Sequence, residues 1–161
     1  MDIIITNKNK ITPKHQNEHV KYEYYKSGVT DERDKYENGG NQTVVAFYTL
    51  PPGKSSYPFH YHATNEEVFY IISGTGVLDT FEAKHAVGAG DVIVCHAGEK
   101  GAHMITNASE TENLVYLDVD TNNTPDIAFY PRANKVGIRA AGGIRDNFSL
   151  DGKIGYYDNE G

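Results

Sequence analysis

The chain has 161 residues and carries 15 basic against 22 acidic side chains, a formal charge of -7 and a pI near 5.4. That length is one domain, able to bury roughly two thirds of its unfolded surface, so a core can form without disulfides or a structural metal. The acidic balance and the scatter of Lys and Arg exclude a basic stripe and, with it, nucleic acid as an expected partner.

Hydrophobic residues make up 39% and mean hydropathy is -0.56, yet 12 Tyr and 6 Phe are more rings than a disordered chain carries. No window approaches the roughly 18 apolar residues of a spanning helix. The segment Met1–Lys8 lacks the basic start, apolar stretch and small-residue cleavage site of a secretory signal. The single cysteine, Cys95, rules out an intramolecular disulfide and a Cys-only zinc site. A soluble, cytoplasmic protein with no membrane partner is expected.

Residues 1–42 are polar, with a charge-dense piece from Asp31 to Glu37 closing on Asn38-Gly39-Gly40, and read as an N-terminal extension. From Thr43 the character changes: Val44–Leu50 is a β-rich run stopped by Pro51-Pro52-Gly53. Glu67–Ile72 repeats the enrichment, and Ser73-Gly74-Thr75-Gly76 turns it into Val77–Phe81, a hairpin. Short strands follow at Ala86-Val87, Asp91–Cys95, Ala102–Asn107 and Asn113–Val119. Strands every ten residues or so, with Gly-rich turns between them, predict an all-β sandwich or barrel over residues 43–119. No amphipathic helical period interrupts that stretch, which disfavours an α/β architecture. Residues 120–161 hold a loop at Thr121–Pro125 and then a Gly-rich tail of little periodicity, expected to pack as an arm on the barrel or on a second subunit.

Seven histidines are the unusual item, and three of them sit where they can act together. His60 and His62 are separated by one residue, so on a strand both point to one face. Glu66 and Glu67 open the next strand; Glu67 shares its phase with Phe69 and Ile71, Glu66 with Val68, Tyr70 and Ile72, and the pattern alone does not choose between them. His103 is expected to begin another strand of the same sheet, in phase with Ile105 and Asn107. Two His at i and i+2, one carboxylate and one distant His make an N3O metal site.

These residues resemble the two motifs of the cupins. The first, G-x5-H-x-H-x(3,4)-E-x6-G, is matched by Gly53, His60, His62, Glu67 and Gly74, with six residues instead of five before His60. The spacing of the last glycine selects Glu67 over Glu66. The second, G-x5-P-x-G-x2-H-x3-N, is matched by Gly90, Gly98, His103 and Asn107; His96 stands where the motif has proline, and four residues instead of two separate Gly98 from His103. The resemblance implies a small jelly-roll β-barrel holding one divalent transition metal through His60, His62, Glu67 and His103, and a homodimer to which the terminal extensions contribute. Imidazole suits first-row metals such as Mn, Fe, Co, Ni, Cu or Zn, and four protein ligands on an octahedral ion leave two positions open. Chain length and the tail segment Phe129-Tyr130-Pro131 with Lys135-Val136-Gly137 also resemble small cupins labelled sugar-phosphate isomerase or mannose-6-phosphate isomerase-like.

Three functions compete on such a scaffold, since fold does not dictate reaction. The first is a metal-dependent enzyme on a small polar metabolite, of the sugar or sugar-phosphate isomerase kind, with Glu66 or His96 as the catalytic base. A non-catalytic small-molecule-binding module and an Fe(II)-dependent dioxygenase are the alternatives. The remaining candidates read as background: Cys95 as a core residue, Asn107 as a turn-tying amide, and His15 and His19 as solvated surface even if they share a helix face. His85 is expected to be exposed. Tyr48, Tyr57, Tyr61 and Tyr116 are candidates to line a pocket, and Arg132, Lys135 and Arg139 to lie on a solvated surface or meet an anionic substrate.

Overall fold

The computed structural model describes residues 3–30, 41–140 and 142–159, so the charge-dense piece from Asp31 to Glu37 and its Asn-Gly-Gly turn lie outside the described residues. The described strands are β1 (Lys14–His19), β2 (Tyr22–Gly28), β3 (Thr43–Leu50), β4 (Tyr61–His62), β5 (Glu67–Ser73), β6 (Thr75–Asp79) and β7 (Lys84–Gly88). They continue with β8 (Val92–Cys95), β9 (Met104–Asn107), β10 (Leu114–Thr121), β11 (Asp126–Tyr130), β12 (Lys135–Ala140) and β13 (Ile144–Ser149). Only single 3-10 turns interrupt them, and no described helix is long and apolar enough to cross a membrane. Six strands pair in the order β1-β2-β3-β10-β5-β8, four in the order β13-β12-β11-β4, and β6 lies between β7 and β9. Every strand pair is antiparallel, as an all-β jelly roll requires.

Period-two alternation sets the core. On β3 the buried residues are Val44, Ala46, Tyr48 and Leu50, and opposite them β10 buries Leu114, Tyr116 and Asp118. Phe69 and Ile71 of β5 complete the layer, with the Tyr48 and Tyr116 rings stacked at 5.2 Å and Phe69 set edge-on to Tyr116. Side chains of this size each contribute about 1.5–3 kcal/mol on full burial. Cys95 lies in the same cluster, and burial pushes its thiol well above the usual range, in keeping with a core role.

Asn107 ties a turn, as expected: its amide donates to the Leu50 and Glu112 carbonyls, and its oxygen accepts from Ser109 N–H. Gly74 shows why that position is glycine. Its φ is +85°, and a Cβ there would stand 2.4 Å from the Asn113 carbonyl oxygen.

Both termini contribute more regular structure than their composition suggests. β1 and β2 form a hairpin that extends the large sheet through β2–β3 pairing. The strands are polar, so no apolar alternation announces them; their stability comes from the ladder and from contacts such as the His15 ring stacked on Tyr25 at 4.4 Å. His15 and His19 therefore lie on a strand and share no helix face; His15 meets Glu23 at 3.2 Å. Beyond residue 120, β11 pairs with β12 on one side and with β4 on the other, through Ala128↔His62 and Phe129↔Tyr61.

Candidate metal centre

His60 and His103 meet through their backbones. His60 N–H donates to the His103 carbonyl at 3.0 Å and His103 N–H donates to the His60 carbonyl at 2.9 Å, a bridge outside any named strand. The expectation that His103 opens a strand of the same sheet is therefore corrected: β9 starts one residue later and pairs with β6. An isolated bridge suffices to bring the His60 and His103 rings to 5.0 Å, and alternation brings His60 and His62 to 5.1 Å. Glu67, the buried first residue of β5, points between them, while half-buried Glu66 does not join them. Its Oε2 lies 3.3 Å from His103 Nε2 and 3.7 Å from His60 Nε2; its Oε1 lies 3.8 Å from His62 Nε2.

The other side of each ring is equally informative. His60 Nδ1 is 2.8 Å from the Pro58 carbonyl, His103 Nδ1 is 2.9 Å from the Gly101 carbonyl, and His62 Nδ1 makes a short hydrogen bond to Asp126. All three partners accept only, so each Nδ1 carries the proton, and the neutral tautomer then turns a lone pair from Nε2 toward Glu67. Three lone pairs and a carboxylate facing one another repel unless a cation lies between them. The alternative, three imidazolium ions around one carboxylate, is opposed by burial, which holds the His103 pKa below its ordinary value. Donor atoms of His60, His62 and Glu67 lie within 4.8 Å of one another. Ligands about 2.1 Å from a common ion stand about 3–4 Å apart, so the donor set fits a transition metal.

Asp126 orients His62. Burial works against its charge, but the His62 hydrogen bond and those from Thr64 prevail and hold its carboxyl well below the usual range. On His62 burial likewise opposes charge, and Asp126 together with Glu67 raises its pKa. A carboxylate behind a metal-binding imidazole is a recurring arrangement that fixes the tautomer and raises ligand basicity. Nothing local in the Gly-rich tail marks Asp126, because its partner is 64 residues away.

A second missed feature is the pair Asp118 and Asp120, two residues apart on the inward face of β10. Asp118 lines the narrow cavity shared by His60, Glu67 and His103, and Asp120 lines one of about 40 Å³ with His62, Glu67 and Asp126. The Oδ1 atoms of both are buried without a hydrogen-bond partner. Burial, then Asp120's charge, pushes Asp118 well up; burial, then Glu67's charge, raises Asp120 to about 7. The legible signal was parity: Asp118 and Asp120 share phase with the core residues Leu114 and Tyr116.

The other expected residues divide between cavity and surface. Glu66 and His96 hydrogen-bond to each other at 3.0 Å, side chains 46% and 74% exposed, and line none of the cavities around the centre. Tyr57 and Tyr116 line the narrow cavity, Tyr48 is in the core beneath, and Tyr61 stacks on Phe129 instead. Arg132 pairs with Asp79 and covers the Phe59 ring, and Lys135 lies over Tyr130. Arg139 alone of the three basic candidates lines a cavity at the centre. His85 is exposed on β7.

Residues 46–120 match the family model of the cupin domain. None of the curated proteins matches the chain. Among solved structures, a protein provisionally named a sugar phosphate isomerase, from Acidithiobacillus ferrooxidans, superposes with a TM-score of 0.76 at 21% identity, over 91% of this chain and 90% of that one. A sugar phosphate isomerase of the cupin superfamily from Silicibacter pomeroyi gives 0.74 at 21% identity over 95% and 97%. A predicted oxalate decarboxylase from Thermotoga maritima gives 0.61 at 28% identity over 73% and 97%. Both motifs, the jelly roll and the converging imidazoles thus agree with that match: residues 46–120 form a cupin domain.

Proposed function

We propose that the protein is a metal-dependent enzyme acting on a small polar metabolite, of the aldose–ketose isomerase kind, with His60, His62, Glu67 and His103 as the metal ligands. The supporting observation is that three imidazoles, each with its Nδ1 committed to an acceptor, converge through Nε2 on one buried carboxylate. Two of the similar structures bear the name sugar phosphate isomerase, which supports the substrate class.

A divalent ion held there supplies Lewis acidity toward neighbouring substrate oxygens. The chain supplies the rest. Asp126 holds the His62 ring in place, and the apolar wall of Phe69 and Tyr116 excludes water from one side. Proton transfer at the carbon beside a carbonyl falls to one of two pairs: Asp118–Asp120 inside, or Glu66–His96 at the rim. The first stands in the cavities with the ligands, and it is the pair we favour.

Wild-type protein reconstituted with each of Mn, Fe, Co, Ni and Zn is expected to interconvert aldose and ketose phosphates, and His62→Ala to lose metal and turnover together. Asp120→Asn is expected to lower kcat about 100-fold or more with metal content unchanged, the usual worth of a general base, while Glu66→Gln and His96→Gln change it little. Full activity in metal-free protein would sink the reading. Oxygen uptake with iron would favour the dioxygenase, and saturable ligand binding without turnover the non-catalytic module.

The same reading includes a cytoplasmic homodimer. The outward face of β5 and the edge strand β8 exposes Tyr70, Ile72, Val92 and Val94, at 45%, 40%, 64% and 49%. An apolar edge of this kind invites coverage. Light scattering is expected to give twice the chain mass, and Val92→Asp to halve it; a monomeric wild type would remove the dimer.

A further inference from the structure

The inward face of β11 meets both histidines of the H-x-H pair. Asp126, Ala128 and Tyr130 share one phase on that strand, because alternate residues point the same way. Ala128 lies directly opposite His62, Asp126 accepts the His62 Nδ1 hydrogen bond, and the Tyr130 ring lies on the His60 ring. The two rings stack with centroids 5.6 Å apart and planes 17° from parallel, within the range of attractive offset stacking.

Three residues of the tail hold Tyr130 in that place. Lys135 is its direct cross-strand partner on β12 and sets Nζ 4.8 Å from the ring centroid, a cation–π contact. Gly137, opposite Ala128, carries no side chain where the ring edge passes; a Cβ there would touch Tyr130 Cε2 at 3.5 Å and crowd Asn147 Oδ1 at 2.8 Å. Pro131 disfavours the helical region for the residue before it, and Tyr130 has φ −116° and ψ 78°. The tail segments Phe129-Tyr130-Pro131 and Lys135-Val136-Gly137 thus converge on one aromatic ring.

His60 has a need for such a contact. Its Nδ1 bond to the Pro58 carbonyl fixes one atom, but hydrogen-bond directionality is broad and so is the χ2 torsion of a histidine, which leaves the ring plane free to tilt. Tilting swings the Nε2 lone pair away from Glu67. A flat face laid on the imidazole removes that freedom. The other two ligand candidates have restraints of their own: His103 lies against Phe69 at 5.3 Å, and His62 has a charged acceptor in Asp126.

We infer that Tyr130 is a positioning residue, whose ring sets the plane of His60 so that Nε2 faces Glu67. β11 is then a brace on both histidines, through Asp126 for His62 and through Tyr130 for His60. Its effect on a bound ion rests on the proposed ligand set; the stack itself does not. The ring and not the hydroxyl does this, so phenylalanine serves as well.

Two readouts on the full-length chain test it. In metal-free protein, NMR is expected to show a ring-current shift of the His60 ring protons in wild type and Tyr130→Phe, and its loss in Tyr130→Leu, which keeps bulk without a planar face. With Co(II) as the probe, competition against a chelator is expected to give Tyr130→Leu an affinity about tenfold weaker than wild type, the lower end of what a group behind a metal ligand contributes. Tyr130→Phe is expected to match wild type, and the visible bands of bound Co(II) to move in the leucine variant alone. Melting curves check that each variant folds. Tyr130→Met, whose adaptable side chain fills the same space, keeps the test open if the leucine variant misfolds. Wild type that fails to bind Co(II) would overturn the ligand set. Wild type that binds it, with the folded leucine or methionine variant binding equally tightly, would overturn the inference alone, as would His60 ring protons unmoved by the substitution.

Discussion

Glu67→Gln is expected to strip the protein of metal, lowering affinity by more than about 100-fold. The comparison that sets this scale is that even partners behind a ligand cost about 10–100-fold when removed. Glu67 is the one anion among three imidazoles, so its loss removes both a donor and the charge that neutralises the ion. Metal content by elemental analysis after dialysis, with His85→Gln as a surface control, checks it. Metal retained at wild-type level in Glu67→Gln would remove Glu67 from the ligand set.

Glu67 also gives metal-free protein a definite acid response. Burial opposes its charge, but His103, then His60 and His62, hold its carboxyl down at about 2, against an ordinary 4.5. A depressed pKa contributes stability above the ordinary value and loses it as pH falls through the folded one. Metal-free wild type is therefore expected to lose on the order of 3 kcal/mol between about pH 4.5 and 2, and Glu67→Gln to lack that component. Chemical denaturation at stepped pH measures the difference. Parallel curves for the two proteins would show that the imidazoles do not hold this carboxylate.

Asp126→Asn is expected to lower metal affinity about 10–100-fold while leaving the fold intact. The amide keeps the shape and the hydrogen bonds to Thr64, but in place of a charged acceptor it offers His62 Nδ1 a neutral group. The pH dependence separates this from a packing defect. In wild type, Asp126 and Glu67 raise the His62 pKa; with asparagine the midpoint of His62 titration, read by NMR in metal-free protein, is expected to fall. An unmoved midpoint would confine Asp126 to a structural role.

The centre of the chain was legible because its signals are local. Glycine spacing, H-x-H on a strand, and the phase of Glu67 with Phe69 and Ile71 each follow from a few neighbouring residues, and the β-rich runs from Thr43 to Val119 carry the alternation of a half-buried sheet. His103 was found for its motif spacing, but its placement by a lone backbone bridge to His60 was not, because a bridge leaves no period. The two ends were poorly legible. β1 is polar and β2 turns only Tyr22 and Tyr24 toward the core clusters, so pairing more than side-chain pattern defines them. Asp126 acquires meaning only when distant strands meet, and it does not differ locally from an ordinary surface residue. Asp118 and Asp120 were readable in principle, since acids in phase with Tyr116 on an otherwise apolar strand break the expected pattern.

The reach of the His62–Asp126 hydrogen bond, 64 residues, bears on when the proposed centre could take an ion. The proposed ligands all precede Met104, whereas the carboxylate that steadies His62 begins β11. During synthesis an early chain would present loose histidines, each able to take metal weakly and without selection. Closing loops this long carries an entropic cost that only the nearly complete sheet repays. With the proposed ligand set, tight loading is thus expected late, coupled to the docking of β11 beside β4, and a chain truncated before Asp126 is expected to hold an ion more weakly.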